Sequence, residues 1–338
     1  MILERHDGVG CTAKAIVYKV SPTIVVKKTR SDPYERDGFA RELEFYRCLA
    51  QRPDRCSAIV ECFLALPEHL FLSYCDLNRI EIRYREYQER EQRADGFRGR
   101  LIRVKHYESP ALISRWTQQI ASALEYVEKM GFCHNDLAPR NCLLDHNCDL
   151  RLCDFDRVTT IGQFLEGVFA PWARQLVAGP LQGTYGLCCA RTEQFALGSL
   201  VYFLVYSKEP YEELNFAKQD PGELRRRFGH MEFPELERQG VDVFNEFISA
   251  CWHNVYPTMA LAAYDIKRKT RHLASDSAET KAVDSAKEQK ACKALIQQGL
   301  LGPDMASQFQ PVWQRCLLAI TAKFTFAWRN LVSLLRQS

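Results

Sequence analysis

The run His134-Asn135-Asp136-Leu137-Ala138-Pro139-Arg140-Asn141 sets a carboxylate five positions before an amide, and Cys153-Asp154-Phe155-Asp156 follows it. Aspartate and asparagine are the oxygen donors that hold a hard divalent cation, and a free carboxylate can orient an attacking hydroxyl. Phosphoryl transfer requires that set, which Asp136, Asn141 and Asp154 supply. Two short apolar runs, 142–145 and 149–155, surround a turn at Asn147, and the spacing predicts two strands that fold Asp154 back beside Asp136 and Asn141. A lone D-x-x-x-x-N recurs by chance. His134 two residues before the aspartate, the paired strands and the following Asp-Phe make this occurrence specific.

Elements must exist to position those groups. Residues 15–20 and 23–28 are rich in Val, Ile and Tyr and predict strands, and 61–74 predicts two more around a break at Pro67 to His69. Between them, 39–50 places Phe39, Leu43, Tyr46 and Leu49 on one helical face. From Pro110 onward the period is helical, with Trp116, Ile120, Leu124 and Val127 in register, and further helices are expected over 192–206 and 241–252. The expected class is α+β: a small strand-rich lobe with one main helix, and a larger helical lobe. Gly8-Val9-Gly10 opens a loop between strands, where a missing Cβ lets backbone N–H groups approach phosphate oxygens. Lys27 shares an inward face with Val25 under strand alternation, so Lys28 points outward.

Composition limits the alternatives. The chain has 338 residues, 46% hydrophobic and 26% charged, which fits about two domains or one bilobal one. A net charge of +3 gives no global reason to expect nucleic acid or an anionic membrane as partner. The most apolar stretch, Phe195 to Tyr206, falls short of the roughly 18 residues of a spanning helix, so no membrane is expected. Fourteen cysteines at irregular spacing, and a start with charges where a secretory apolar core would lie, predict reduced thiols in the cytoplasm or nucleus.

Cys133, His134, Cys142, His146, Cys148 and Cys153 lack the paired spacing of a metal site. Arg225 to Arg227 reads as a solvated turn. Residues 79–105, with nine basic and five acidic groups, read as a solvated charged insertion, and 273–291 as a linker or exposed helix. Trp313, Leu317, Ile320, Phe324, Ala327, Leu331 and Leu334 form a seam expected to pack on the larger lobe; the alternative is a helix partner for 311–335.

These motifs resemble those of eukaryotic-type protein kinases, above all the divergent kinase-like proteins abundant in filamentous fungi, over roughly residues 1–272. His134 to Asn141 resembles the catalytic loop, Cys153 to Asp156 the magnesium loop, 192–214 the long central helix and its turn, and 251–259 a late helix. The resemblance implies an N-lobe at about 1–75, a C-lobe at about 76–272, a linker and helical extension over 273–338, and ATP with Mg²⁺ or Mn²⁺ as cofactors. It makes Asp136 the hydroxyl-orienting base and Asn141 and Asp154 the metal ligands. Gly8, Gly10 and Ala13, the last in place of a third glycine, cover the phosphates; Lys27 reaches them and pairs with Glu42 in preference to Glu44. Leu70 to Cys75 matches the strand and hinge, with backbone groups of Ser73 and Cys75 facing the base.

Departures from the pattern are Asn135 for an arginine that grips a phosphorylated activation loop, Asp156 for a glycine, Glu193 for an aspartate, and the lack of an A-P-E tripeptide between Asp154 and Glu193. Ala138 stands where Ser/Thr kinases carry lysine, and Arg140 where tyrosine kinases carry arginine. The expected activity is phosphoryl transfer to a protein hydroxyl, serine or threonine before tyrosine. The competing readings are a nucleotide-binding or partner-binding scaffold without catalysis, and a small-molecule phosphotransferase, since choline and aminoglycoside kinases share an H-x-D-x-x-x-x-N loop.

Overall fold

Runs of β-branched residues broken by short turns build the first part of the chain, and the computed structural model describes residues 3–6, 8–11, 15–30, 33–92, 99–214, 220–273 and 284–309. Strands β1 (Gly8–Cys11), β2 (Ala15–Lys19), β3 (Ile24–Thr29), β4 (Cys62–Leu66) and β5 (His69–Ser73) form one sheet in the order β1-β2-β3-β5-β4. Ser21 tightens the β2–β3 turn by accepting the N–H groups of Thr23 at 3.2 Å and Ile24 at 3.0 Å through its hydroxyl.

The register decides which side chains share a face. Gly10 stands opposite Val17, Val17 opposite Lys27, and Lys27 opposite Leu70. The neighbouring row is Tyr18, Val26 and Phe71. Successive residues of a strand point to opposite faces, so these two rows lie on opposite sides of the sheet.

Helical periodicity builds the rest. Helix α1 (Pro33–Ala50) begins ahead of the apolar stripe that marks it in the sequence, and buries Phe39, Leu43, Phe45 and Tyr46. After α2 (Ile80–Glu86) come the hairpin β6 (Gln88–Arg90) and β7 (Leu101–Val104), then α3 (Pro110–Lys129). Ser109 caps α3 by accepting Leu112 N–H at 3.3 Å, and Trp116, Ile120, Leu124 and Val127 are all buried. Short strands β8 (Phe132–Cys133), β9 (Cys142–Leu144), β10 (Leu150–Leu152) and β11 (Thr159–Thr160) carry the loops with the chemistry. Strands β9 and β10 pair antiparallel, with Leu144 opposite Leu150 and Cys142 opposite Leu152. Helix α4 (Ala190–Tyr206) is buried along nearly its whole length, and α5 (Pro221–Gly229), α6 (Asp242–Trp252) and α7 (Met259–Lys269) complete this part.

Two segments depart from their sequence reading. The charged stretch 79–105 is not a wholly solvated insertion: Ile80 and Tyr84 are fully buried, the Tyr84 hydroxyl donates to Leu204 O at 2.9 Å, and Gln88 donates to Ser207 O at 2.5 Å. A few apolar and amide groups anchor it, while Arg85 and Arg103 pair on the outside with Glu81 and Glu89. Arg226 and Arg227 lie on a helix rather than in a turn, ion-paired with Glu223, and Arg226 also with Glu232.

The stretch 273–291, expected as a linker or an exposed helix, holds the start of helix α8 (Ser285–Gln297), capped by Asp284, and α9 (Pro303–Phe309) follows. The seam from Trp313 to Leu334, the possible helix partner at 311–335 and Ala13 lie outside the described residues.

The described residues group into two compact units. One holds 3–30, 63–73 and 284–309; the other holds 33–62 and 74–273. This division differs from one at 75 and 272, since α1 belongs with the helical unit and α8 and α9 with the sheet. Among the described residues no helix is long and apolar enough to cross a membrane.

Candidate active site

The loop between β8 and β9 is held from below by a buried acid. Glu193, in the first turn of α4, accepts the backbone N–H of His134 at 2.9 Å through one carboxylate oxygen and that of Asn135 at 3.1 Å through the other. Burial pushes the Glu193 carboxyl up, and His134 and the two amides act against that shift. Asn135 has φ of 61° and Asp154 φ of 66°, left-handed conformations that Asn and Asp tolerate better than most residues.

His134 Nδ1 accepts the Asp136 N–H at 3.2 Å, which leaves the ring proton on Nε2 to be donated to Cys153 O at 3.1 Å. That imidazole ties the two acidic loops together. Phe155 packs edge-to-face on His134 and on Tyr46, with ring centroids 4.9 and 5.7 Å apart, and stacks on Phe45 at 4.0 Å. A column of buried rings therefore joins α1 to both loops.

Three carboxylates converge above that base. Asp136, Asp154 and Asp156 each offer an oxygen within 4.8 Å of the others. Asn141 donates its amide N–H to Asp136 O at 2.7 Å and Asp136 Oδ2 at 2.9 Å, which leaves its amide oxygen as a neutral ligand. Arg140 donates to Asp136 Oδ1 at 2.5 Å. A set made only of hard oxygens fits Mg²⁺ or Mn²⁺ and not a thiophilic ion.

Asp156 is buried within this group rather than turned to solvent, and its backbone carbonyl accepts Arg41 Nε from α1 at 3.0 Å. Like charges this close repel until a cation neutralises them. Nucleotide affinity should therefore rise more steeply with Mg²⁺ in the wild type than in Asp156→Gly, by roughly an order of magnitude across the titration. Superimposable metal titrations of the two proteins would refute this.

The sequence-derived nucleotide groups fall in two places. Gly8, Gly10, Lys27 and Ser73 lie on the sheet of the first unit. Lys27 is buried, whereas Lys28 is partly exposed and ion-paired with Glu4 at 2.9 Å. A Cβ on Gly8 would meet nothing within 4 Å and one on Gly10 only ordinary contact with Val17, so packing requires neither glycine. In the second unit, Glu42 is fully buried on α1, Glu44 is exposed, and Cys75 is buried with its carbonyl accepting Asn78 N–H at 3.3 Å. The structure thus brings Asp136, Asn141 and Asp154 together and adds Asp156 to them. The aromatic column was not read from the sequence. Its signal was Tyr46, one helical turn after Glu42.

The family model for protein tyrosine and serine/threonine kinases matches residues 10–164. The fold is that of a protein kinase. The chain is similar to the serine/threonine-protein kinase LMTK3 of Mus musculus, 25% identical over 289 residues, 80% of this chain and 20% of that protein. It is also similar to the tyrosine-protein kinase ABL2 of Homo sapiens, 25% identical over 237 residues, 69% of this chain and 18% of that protein. A shorter match, 49% over 43 residues, is to the mitogen-activated protein kinase HOG1 of Debaryomyces hansenii, covering 13% of this chain and 11% of that protein. The chain spans about a fifth of the length of LMTK3 and ABL2. Together these matches support a place in the protein kinase superfamily.

Within this fold, backbone hydrogen bonds tie the segment from Asp154 to Glu193 to itself and to β8. Thr159 pairs with Cys133, Gly162 N–H donates to Cys188 O at 2.9 Å, and Cys188 N–H donates to Gln163 O at 2.7 Å. Burial pushes the Cys188 thiol up to about 11. The hydroxyls of Thr159 and Thr184 already donate to backbone carbonyls, at 3.0 and 2.8 Å. A neutral Asn135 offers a phosphate no charge-assisted bond. Phosphatase treatment should leave the transfer rate within about twofold; a large drop would mean that Arg157, which donates to Gly167 O, takes over the role of cation.

Proposed function

We propose that the chain transfers the γ-phosphoryl group of ATP, with Mg²⁺ or Mn²⁺, to a hydroxyl of a protein substrate, serine or threonine in preference to tyrosine. The observation that carries this reading is the convergence of Asp136, Asp154 and Asp156 within 4.8 Å, with Asn141 bonded to Asp136. The bound cation would neutralise phosphate charge as the bond to the leaving group breaks. Asp136 receives the acceptor hydroxyl on a lone pair not used by Arg140 or Asn141, and those two donors hold its carboxylate in one orientation.

Beside Asp136 lies a small hollow lined among others by Leu165, Val168 and Trp172. Twelve described cysteines are free thiols, which supports a reducing compartment, cytoplasm or nucleus. The narrower likeness to the divergent kinase-like group of filamentous fungi is part of the same reading.

Lys27 supplies the cation for the phosphates, from a buried strand position. Lys27→Met should lower kcat/KM for ATP by roughly 10²-fold or more. Lys28→Met should change it less than about twofold, because a partly exposed pair with Glu4 contributes little. Greater sensitivity at Lys28 would mean that the strand faces the other way. The activity itself is tested with labelled ATP offered to generic protein, to serine and tyrosine peptides and to small alcohols. Label on small alcohols alone would favour the small-molecule enzyme, and nucleotide binding without transfer would favour the scaffold.

A further inference from the structure

An antiparallel sheet with apolar residues on both faces needs a cover on each. On one face of this sheet the cover is the end of the described chain. Val20, Ile24, Val26, Phe63 and Phe71 form one buried cluster with Cys292 and Ile296 of α8, with Leu300 and Leu301 of the α8–α9 turn, and with Leu3. Leu3 N–H donates to Leu300 O at 3.0 Å, and Thr23 donates its hydroxyl to Glu288 Oε2 at 2.8 Å. The apolar positions of α8 are few and small, yet Cys292 and Ile296 are fully buried.

The same register that puts Val26 opposite Phe71 puts Lys27 opposite Leu70 and Val25 opposite Leu72. Val25, Leu70 and Leu72 are buried but lie outside that cluster. The residue that would hold the phosphates is therefore one step along the strand from a residue clamped by α8. We propose that residues 284–309 are a positioning element of the nucleotide-binding lobe: their docking fixes β3 and β5, and through them Lys27, so that undocking weakens nucleotide binding. This rests on the reading of Lys27 as the phosphate cation. Ile296 and Leu300 act through the strand and are positioning residues.

Linkage makes the effect reciprocal: whatever docking does for nucleotide affinity, nucleotide must do for docking. Cys292 reports on it, since burial pushes its thiol up to about 12 and shields it from alkylation. The test uses the full chain with Ile296→Ala, the milder Ile296→Val in case alanine prevents folding, and exposed Lys293→Ala as control. Three quantities are read: hydrogen exchange over 24–29 and 69–73, affinity for a non-hydrolysable ATP analogue with Mg²⁺, and the alkylation rate of Cys292.

Ile296→Ala is expected to speed exchange in both strands and weaken analogue binding by about tenfold, with a smaller change in kcat at saturating ATP. Ile296→Val should do less and Lys293→Ala nothing. Bound analogue should slow Cys292 alkylation in the wild type. Unchanged exchange in β3 and β5 overturns the proposal, and so does faster exchange with unaltered analogue affinity or unaltered Cys292 protection. A wild type that binds no analogue refutes the role given to Lys27 and the affinity claim with it. Exchange then decides alone whether α8 fixes the strands.

Discussion

Under the proposed function, Asp136→Asn is expected to lower phosphoryl transfer by roughly 10²- to 10⁴-fold and to leave nucleotide affinity within a few-fold of wild type. The amide has the shape of the carboxylate but cannot take a proton. It also turns one of its two acceptor positions into a donor, facing either Arg140 or Asn141, both of which donate to Asp136. The loop should survive this, because its main supports do not use the Asp136 side chain. Glu193 holds the amides of His134 and Asn135, Asn141 still reaches Asp136 O at 2.7 Å, and His134 still bonds Cys153 O. Single-turnover transfer and analogue binding on the same preparations separate the two effects. Equal rates in both proteins would remove Asp136 from the chemistry.

The clustering of Asp136, Asn141 and Asp154 was legible because the three are close in sequence and flank one predicted hairpin. Asp136 and Asn141 lie just before, and Asp154 just after, one pair of short strands, and the apolar runs flanking Asn147 announce the hairpin. Strand alternation from Val25 predicts that Lys27 faces inward and Lys28 outward, and the two side chains do differ in burial in that sense. What sequence hid follows from other physics. Helix α8 lacks the large apolar stripe of α3, and its docking face uses Ala291, Cys292, Leu295 and Ile296 against residues far back in the chain. The segment at 79–105 reads as solvent-facing because its buried Ile80, Tyr84 and Leu101 are outnumbered by charges that pair on the outside. The position of Asp156 was undecidable from its neighbours, since an aspartate after a turn serves equally as cap or ligand; only the fold brings it to Asp136.

Glu193 predicts the largest combined loss of stability and activity. Its two oxygens are the acceptors of two adjacent buried N–H groups, and Asn135, one of the donors, sits at φ 61°. Glu193→Ala leaves both amides without that acceptor and opens a cavity under the catalytic loop. Each buried N–H left unpaired costs about 1–3 kcal/mol, so the variant should lose roughly 3–5 kcal/mol of unfolding free energy and melt well below the wild type. Glu193→Gln keeps the volume and one acceptor oxygen but turns an NH₂ group toward the second amide, donor against donor, so about 1–3 kcal/mol is expected. Glu193→Asp keeps both acceptor oxygens on a shorter stem and should lose less than Glu193→Gln. Transfer rates below each melting point should fall in the same order, because the loop that carries Asp136 is the loop these bonds hold. Thermal melts paired with transfer assays check both halves. A Glu193→Ala protein that melts and transfers like the wild type would mean that the amides of His134 and Asn135 find another acceptor.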